Sequence, residues 1–534
     1  MMLYVNAFAG NLRGVGERLG YLQECGVNYL HLMPLLESPE GRSDGGYAVS
    51  DFRKVQPGLG TMENLEALAD ACRRRGIRLC LDFVMNHTSE DHAWARRARA
   101  GDPDFRDRYF FYDSWDVPRE LEKTIPQVFP ITAPGSFTQL EDGSVVMTNF
   151  YPYQWDLNYR NPAVFRDMTE NLLYLANRGA DVLRLDAIPY IWKEPGTSCR
   201  NLPQVHTLAR MLRIAVEIVC PGVLLLGEVV MEPAKVAPYF GTPEAPECHM
   251  LYNVTTMATT WHTLAAGDVS LLKRQMEAVC ALPGDGLFLN YLRCHDDIGW
   301  GLDYPWLGEA FGINEAAHKR FLNDYFTGKW PGSPSRGELY NDDPRLADAR
   351  LCGTTASLCG VEDPAALERA LACDLTLHAW MLSQSGIPVI YSGDEVGQLN
   401  DWAYHDDPAK REDSRYLHRG DFPWDRAALR TDPETVPGRL FQGLRRMEAL
   451  RAAEPCFDAG AEVRIEESGS PRVLALVRRQ GERELVCLFN FSGEFVQAHV
   501  DRSGGYTDLM YGIRHDGLRD VNLWPNSFAW LLRD

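Results

Sequence analysis

Short apolar runs rich in Val, Ile and Leu alternate with longer stretches of helical periodicity through most of the chain, which is the pattern of βαβ units around a parallel sheet. Eight runs read as strands, at residues 4–8, 29–33, 79–84, 182–186, 223–229, 250–254, 287–293 and 387–392. Intervening helices are predicted at 62–75, 163–178 and 203–219. Eight such units predict an α/β protein built on a (β/α)8 TIM barrel. A doubly wound sheet is the weaker reading, because no GxGxxG follows the first run. Two intervals, 88–158 after the third run and 296–364 after the seventh, are rich in aromatics, Pro, Gly and Asp and are too long for plain connections. Each is expected to be a subdomain inserted over the barrel's C-terminal face, which leaves 1–87, 159–295 and 365–454 for the barrel itself. Beyond Glu454-Pro455 the period changes to two, at 462–466, 473–478, 485–491, 495–500 and 527–532, so residues 455–534 are expected to form an antiparallel β-sandwich domain.

Composition narrows the function. The 534 residues are 45% hydrophobic and 24% charged, which is globular and excludes a disordered chain. The 74 acidic against 54 basic residues leave −20, a charge that repels phosphate and anionic lipid. Nucleic acid and membrane partners are therefore not expected, and a neutral ligand is easier to accommodate. The 13 Cys are an odd number scattered in apolar contexts such as Leu79-Cys80-Leu81, with no CxxC pair and no zinc spacing, so neither a metal nor another cofactor is expected. Met1-Met2-Leu3-Tyr4-Val5 has no basic stretch followed by an apolar core, and no apolar run reaches the roughly 18 residues of a membrane span, so a reducing, cytoplasmic location is expected.

Chemistry gathers at strand ends. In Asp181-Val182-Leu183-Arg184-Leu185-Asp186-Ala187 alternation puts Arg184 and Asp186 on one face, at the end of a barrel strand where such folds place catalysis. Arg184 is expected to hold Asp186 ionised and lower its pKa, which suits a nucleophile; a structural ion pair fixing the barrel is the competing reading. The apolar run Val223-Leu224-Leu225-Leu226 closes on Gly227-Glu228-Val229, and burial of Glu228 suits a general acid, against the alternative of a Glu reaching solvent at the rim. The seventh run closes on Cys294-His295-Asp296-Asp297. From a regular strand His-Asp-Asp cannot all face one ion, so His295 and Asp296 read better as groups for sugar hydroxyls, with Asp297 a further participant. His87 supplies another polar tip after Val84-Met85-Asn86, where a packed structural His is the alternative. Asp186, Glu228 and Asp296 close strands four, five and seven and would converge on one barrel mouth, an apparatus for glycosyl transfer between two carboxyl groups.

The set Asp82-Phe83-Val84-Met85-Asn86-His87, Leu183-Arg184-Leu185-Asp186-Ala187, Gly227-Glu228-Val229 and Cys294-His295-Asp296-Asp297 resembles, in order and spacing, the four signature regions of the α-amylase superfamily. The resemblance implies a retaining mechanism with Asp186 as nucleophile, Glu228 as general acid/base and Asp296 as transition-state stabiliser. Within the superfamily, Ser43-Asp44-Gly45-Gly46-Tyr47, Gln154-Trp155-Asp156-Leu157-Asn158-Tyr159, Gly196-Thr197-Ser198-Cys199, Asp296-Asp297-Ile298-Gly299-Trp300 and Gly393-Asp394-Glu395-Val396-Gly397 look like the amylosucrase and sucrose hydrolase group over nearly the whole chain. That likeness implies sucrose as donor and a glucan, another sugar or water as acceptor, with another α-glucoside hydrolase or isomerase of the same superfamily as the alternative. It implies Asp44 and Arg415 as a salt bridge closing the glucosyl pocket, Tyr47 and Phe150 as its aromatic wall, and His87, Arg184 and His295 as hydroxyl-binding residues. Amylosucrases carry a helical region before the first barrel strand, whereas this chain starts almost on that strand at Tyr4. On the acceptor side Pro126 and residues 329–350 vary within the group, and Arg336 and Arg350 are candidates for acceptor contact, with a solvated surface Arg as the commoner case.

Overall fold

The computed structural model describes residues 1–231, 233–282, 286–343 and 349–534, so the expected insertion at 296–364 and the acceptor segment at 329–350 both include residues, 344–348, outside the described set. The chain divides into two compact units, Met1–Val229 with Lys235–Tyr252, and Val230–Ala234 with Asn253–Asp534.

The first unit carries six parallel strands: β1 (Met2–Leu3), β2 (Tyr29–Leu32), β3 (Arg78–Val84), β4 (Val182–Asp186), β5 (Leu224–Gly227) and β6 (Met250–Tyr252). They neighbour one another in chain order, with Leu3 opposite Leu32, Arg184 opposite both Asp82 and Leu226, and Gly227 opposite Leu251. The second unit pairs β7 (Leu287–Asn290) with β8 (Ile387–Pro388), again in parallel. These are the eight strands of the (β/α)8 fold. The first strand sits earlier than its apolar run suggests, since Val5–Ala9, expected as strand, is helical and only Met2–Leu3 pairs with β2. Strands five to eight are shorter than the runs that announce them, because the last residues of each run leave the sheet to build the loops above it.

Between strands, α1 (Met62–Arg74) begins at Thr61, whose side chain accepts from Asn64 N while the Asn64 side chain caps Thr61 N in return. It buries Met62, Leu65, Leu68, Ala69 and Cys72, one stripe at three- and four-residue spacing. The helices α2 (Pro162–Asn177) and α3 (Pro203–Val219) both start on a proline, where the missing N–H costs nothing. The stretch 88–158 carries short helices and a three-stranded antiparallel sheet of Phe111–Tyr112, Val145–Met147 and Phe137–Gln139, and His87–Ser89 pairs antiparallel with Gln154–Asp156.

In the second unit α4 (Leu367–Ser383) packs its Trp380 against Phe489 and Phe491 of the C-terminal domain. That domain is a six-stranded antiparallel sheet, one face of which shares a core with the ribbon Val496–Ala498 and Val521–Leu523, through Val477, Val486, Leu488, Ala498, Val521 and Leu531 among others. None of the 13 cysteines is disulfide-bonded, and among the described residues no helix is long and apolar enough to cross a membrane.

A buried ion pair on α4 makes stability depend on pH. Burial alone would lower the His378 pKa, but Asp374, 2.9 Å away, overrides it and raises the imidazole to about 9. A proton held more tightly folded than unfolded stabilises the chain fully below the ordinary 6.5, and the contribution is lost as pH rises through 9. Urea unfolding is expected to show about 3 kcal/mol less stability well above pH 9 than at pH 6. His378→Gln should flatten that slope; an unchanged slope would assign it to other groups.

Candidate active site

One guanidinium organises the first unit's site. Arg184, buried in the middle of β4, donates from Nη1 to Asp186 Oδ1 (2.6 Å), Asp82 Oδ1 (2.5 Å) and the Tyr47 hydroxyl (3.1 Å), and from Nη2 to Glu228 Oε1 (2.5 Å). Asp82 comes to it from β3 through the parallel register, and Asp186 by two-residue alternation along β4. Asp82 also meets His31 Nε2 at 3.1 Å and accepts from the Tyr47 hydroxyl at 3.4 Å. Glu228 is fixed at its second oxygen by the backbone N–H of Ala187 (2.9 Å). Ala187 has φ 51°, a left-handed conformation costly for a residue with a Cβ. It is the kind of strain that active sites retain, and here the N–H of the residue after Asp186 meets the second carboxylate. The residue before Glu228 is Gly227 for a steric reason, since a Cβ there would lie 2.8 Å from Cys248 Sγ and 2.9 Å from Leu251 Cδ2.

Asp82, Asp186 and Glu228 thus share a single buried cation. The expectation that Arg184 holds Asp186 at a low pKa is overturned: burial, reinforced by the charge of Glu228, pushes Asp186 well above the ordinary carboxylate range, and Arg184 only opposes this. Burial likewise lowers His31, so the imidazole beside Asp82 does not restore the missing positive charge. The arrangement favours one proton held within the carboxylate set.

Around this hub, Phe150 lies with its ring centroid 5.1 Å from His87, 5.2 Å from Tyr190 and 6.2 Å from Phe129. Tyr47 is buried, and its ring faces the Arg184 guanidinium at 5.4 Å. His87 is buried, and desolvation lowers its pKa to about 4. Asp44, at φ 50°, accepts from Gln154 Nε2 at 3.2 Å. Sequence reasoning assigns no role to Asp82, His31 or Lys193; the buried Lys193 ammonium donates to Asn86 Oδ1 (2.8 Å) and meets Asp156 at 2.6 Å. Asp82 and Asn86 stand inside the signature string, but neither Lys193 nor Asp156 carries a local signal of its role.

In the second unit the loop after β7 presents His295, Asp296 and Asp297. Asp296 Oδ2 is 3.2 Å from His295 Nε2, and its Oδ1 lies 3.5 Å from Arg419 Nη2 and 3.7 Å from Arg415 Nη1. Arg415 is gripped at two nitrogens by Asp413, which stays ionised down to about pH 2 because Arg415 outweighs the effect of burial. Asp297 is pushed up by burial, with Arg350 at 3.5 Å opposing. Arg350 is thus engaged by Asp297, while Arg336 Nη1 donates to the carbonyls of Pro334 and Ser335, and the Pro126 carbonyl accepts from Arg200. Among the described residues, one cluster has metal-ligand character: Cys294, His295 and Asp296, with ligand atoms within 4.8 Å of one another. The loop has left the strand, which is how consecutive side chains converge there; Arg415 and Arg419 already supply positive charge to Asp296.

The family described as alpha amylase, catalytic domain, matches residues 5–297. The trehalose synthase of Pimelobacter sp. is 30% identical over 90% of this chain and 83% of its own length. The trehalose synthase/amylase of Mycolicibacterium smegmatis is 31% identical over 80% of this chain, which spans 64% of that longer protein. The glucosylglycerate phosphorylase of Spirochaeta thermophila is 29% identical over 90% of this chain and 77% of its own. Among solved structures, an isomaltulose synthase variant from Erwinia rhapontici NX5, in complex with its natural substrate sucrose, superposes with a TM-score of 0.73 at 20% identity, covering 100% of this chain and 98% of that one. With the catalytic-domain match extending over more than half of the chain and the Pimelobacter relative over nine-tenths of it, the protein belongs to the α-amylase family of retaining enzymes.

Proposed function

We propose that the protein transfers a glucosyl unit from sucrose through a covalent glucosyl-enzyme. Asp186 attacks the anomeric carbon as the bond to the fructosyl oxygen breaks, and Glu228 gives that oxygen its proton. Glu228, now a carboxylate, takes the proton of an incoming hydroxyl, whose oxygen attacks the same carbon and frees Asp186. Two displacements at one carbon retain the α configuration. The likeness to the α-amylase signature regions assigns Asp296 the role of stabilising positive charge that develops on the ring. The observation that carries the reading is the Arg184 hub: a nucleophile and an acid tied to one guanidinium can share one proton, so that one carboxylate is ionised while the other is acidic. The strings shared with the amylosucrase and sucrose hydrolase group supply the donor.

A second reading has a specific observation behind it. Curated relatives across nine-tenths of the chain are named trehalose synthase and glucosylglycerate phosphorylase, so the same intermediate could be resolved by a re-bound glucose or by phosphate instead of by a glucan or water. Incubation with sucrose alone, with fructose and glucose quantified over time, tests the donor. The expected result is fructose well in excess of glucose, which means transfer. Equal amounts make the enzyme a sucrose hydrolase. Neither sugar appearing, with sucrose left unconsumed, overturns the sucrose assignment and favours maltose, trehalose or a glucosyl acid with phosphate.

A further inference from the structure

Lys193 is 4% exposed, and its ammonium is held on three sides: it donates to Asn86 Oδ1 (2.8 Å) and to the carbonyl of Tyr190 (2.5 Å), and lies 2.6 Å from Asp156 Oδ2. Two protons go to those two oxygens, and Asp156 is met as an ion pair without an aligned hydrogen bond. Asp156 is itself held in the strand pairing with His87–Ser89, opposite His87, and its Oδ1 accepts from the backbone N–H of Asn149 (3.0 Å). The pair is therefore a compensated buried charge rather than a stray one.

An ammonium only donates. The side-chain amide of Asn86 must therefore turn its oxygen toward Lys193, and the amide nitrogen, which also only donates, is left facing His87 Nδ1 at 3.3 Å. Two donors cannot face one another, so Nδ1 must be the bare, accepting nitrogen. Burial keeps the imidazole neutral at neutral pH, with a single proton to place, and that proton is forced onto Nε2. Nε2 is buried and makes no well-formed hydrogen bond among the described residues, the Tyr47 backbone carbonyl being an acceptor within reach of the ring, and the ring leans on Phe150. A buried N–H without a well-formed hydrogen bond is costly, and a hydroxyl oxygen of a bound sugar reduces that cost.

We infer that Lys193 is a positioning residue: acting through the amide of Asn86, it fixes His87 in the Nε2–H tautomer, so that the imidazole arrives at the substrate as a hydrogen-bond donor. The inference deepens the function proposed above and rests on it for the sugar as the acceptor. Its rival is a purely structural Lys193 that does no more than neutralise Asp156.

Because Lys193→Met alone strands a buried carboxylate, the test also uses Lys193→Met with Asp156→Asn, which removes both charges together. Nitrogen NMR of 15N-histidine-labelled protein reads the tautomer, with the His87 signals identified among the 13 histidines by their loss in His87→Gln. In the wild type His87 is expected with a bare Nδ1 and a protonated Nε2. In the double variant the Asn86 amide is released to flip, both tautomers are expected, and kcat/KM for the donor should fall about tenfold. A protonated Nδ1 in the wild type, or a double variant that keeps the pure Nε2–H form, would overturn the inference. The spectra need no substrate, so an expected tautomer combined with no turnover of sucrose would leave the positioning role standing and remove the proposed donor.

Discussion

Changing Asp186 to asparagine is expected to lower fructose release from sucrose by at least ~10³-fold while leaving the unfolding transition in place. The amide keeps the shape of the carboxylate and can still accept from Arg184 Nη1, so the hub loses a negative charge but none of its packing. What disappears is the nucleophile. Glu228→Gln should behave differently and makes the assignment specific. With α-glucosyl fluoride, whose leaving group needs no proton, this variant should still form the glucosyl-enzyme and then stall, because no base remains to activate the acceptor. Intact-mass spectrometry should show the gain of one glucosyl unit, and peptide mapping should place it on Asp186. The same reagent should leave no adduct on Asp186→Asn. Asp82 is the carboxylate that could compete for the role, since it binds the same guanidinium nitrogen. An adduct on Asp82, or wild-type turnover by Asp186→Asn, would transfer the role away from Asp186. The same chemistry predicts a pH limb: since burial and Glu228 push Asp186 upward, kcat/KM should fall on acidification at values clearly above the ordinary carboxylate pKa of 3.8.

How much of the fold and the site is legible in the chain follows from the range of each signal. Within one strand, alternation reads correctly: Val182–Asp186 is buried throughout, and Arg184 and Asp186 do share a face. Glu228 can be placed because a single acid closing an apolar run stands out from its neighbours, and the ends of β4 and β5 are adjacent in register. Between strands the signal fades. Asp82 looks like one polar residue in an apolar run until the parallel register sets it opposite Arg184, and nothing local to β3 encodes that pairing. Lys193 and Asp156 belong to different segments and meet only in three dimensions. The sign of the Asp186 shift is hidden from the sequence for the same reason: on its own strand Asp186 has one charged neighbour, a cation, whereas in the fold it has burial and two further carboxylates against that cation. At the amino terminus the run 4–8 reads as strand and Val5–Ala9 is helical, since so short a run, interrupted by Asn6 and closed by Gly10, suits either state.

Replacing Arg184 should be the most damaging single change in the first unit, because it acts on both stability and chemistry. Arg184→Met leaves Asp82, Asp186 and Glu228 around a buried space with no cation, and a broken buried ion pair typically costs about 3–5 kcal/mol. Turnover should fall by on the order of 10³-fold, since neither carboxylate of the reacting pair keeps its orientation. A second change separates the two effects. Adding Asp82→Asn removes one of the uncompensated charges, so it should recover part of the stability while recovering none of the activity. Arg184→Lys separates charge from donor geometry. Lysine keeps the charge but offers a single point donor where the guanidinium reaches three carboxylates through two nitrogens. Arg184 is the group that draws the Asp186 pKa down, so weakening its contact must let that pKa rise further, and the acid limb of kcat/KM must move to higher pH. A limb left in place by Arg184→Lys, together with a large loss of rate, would mean that the charge alone sets the proton shared by the two carboxylates and that the fork of the guanidinium serves orientation.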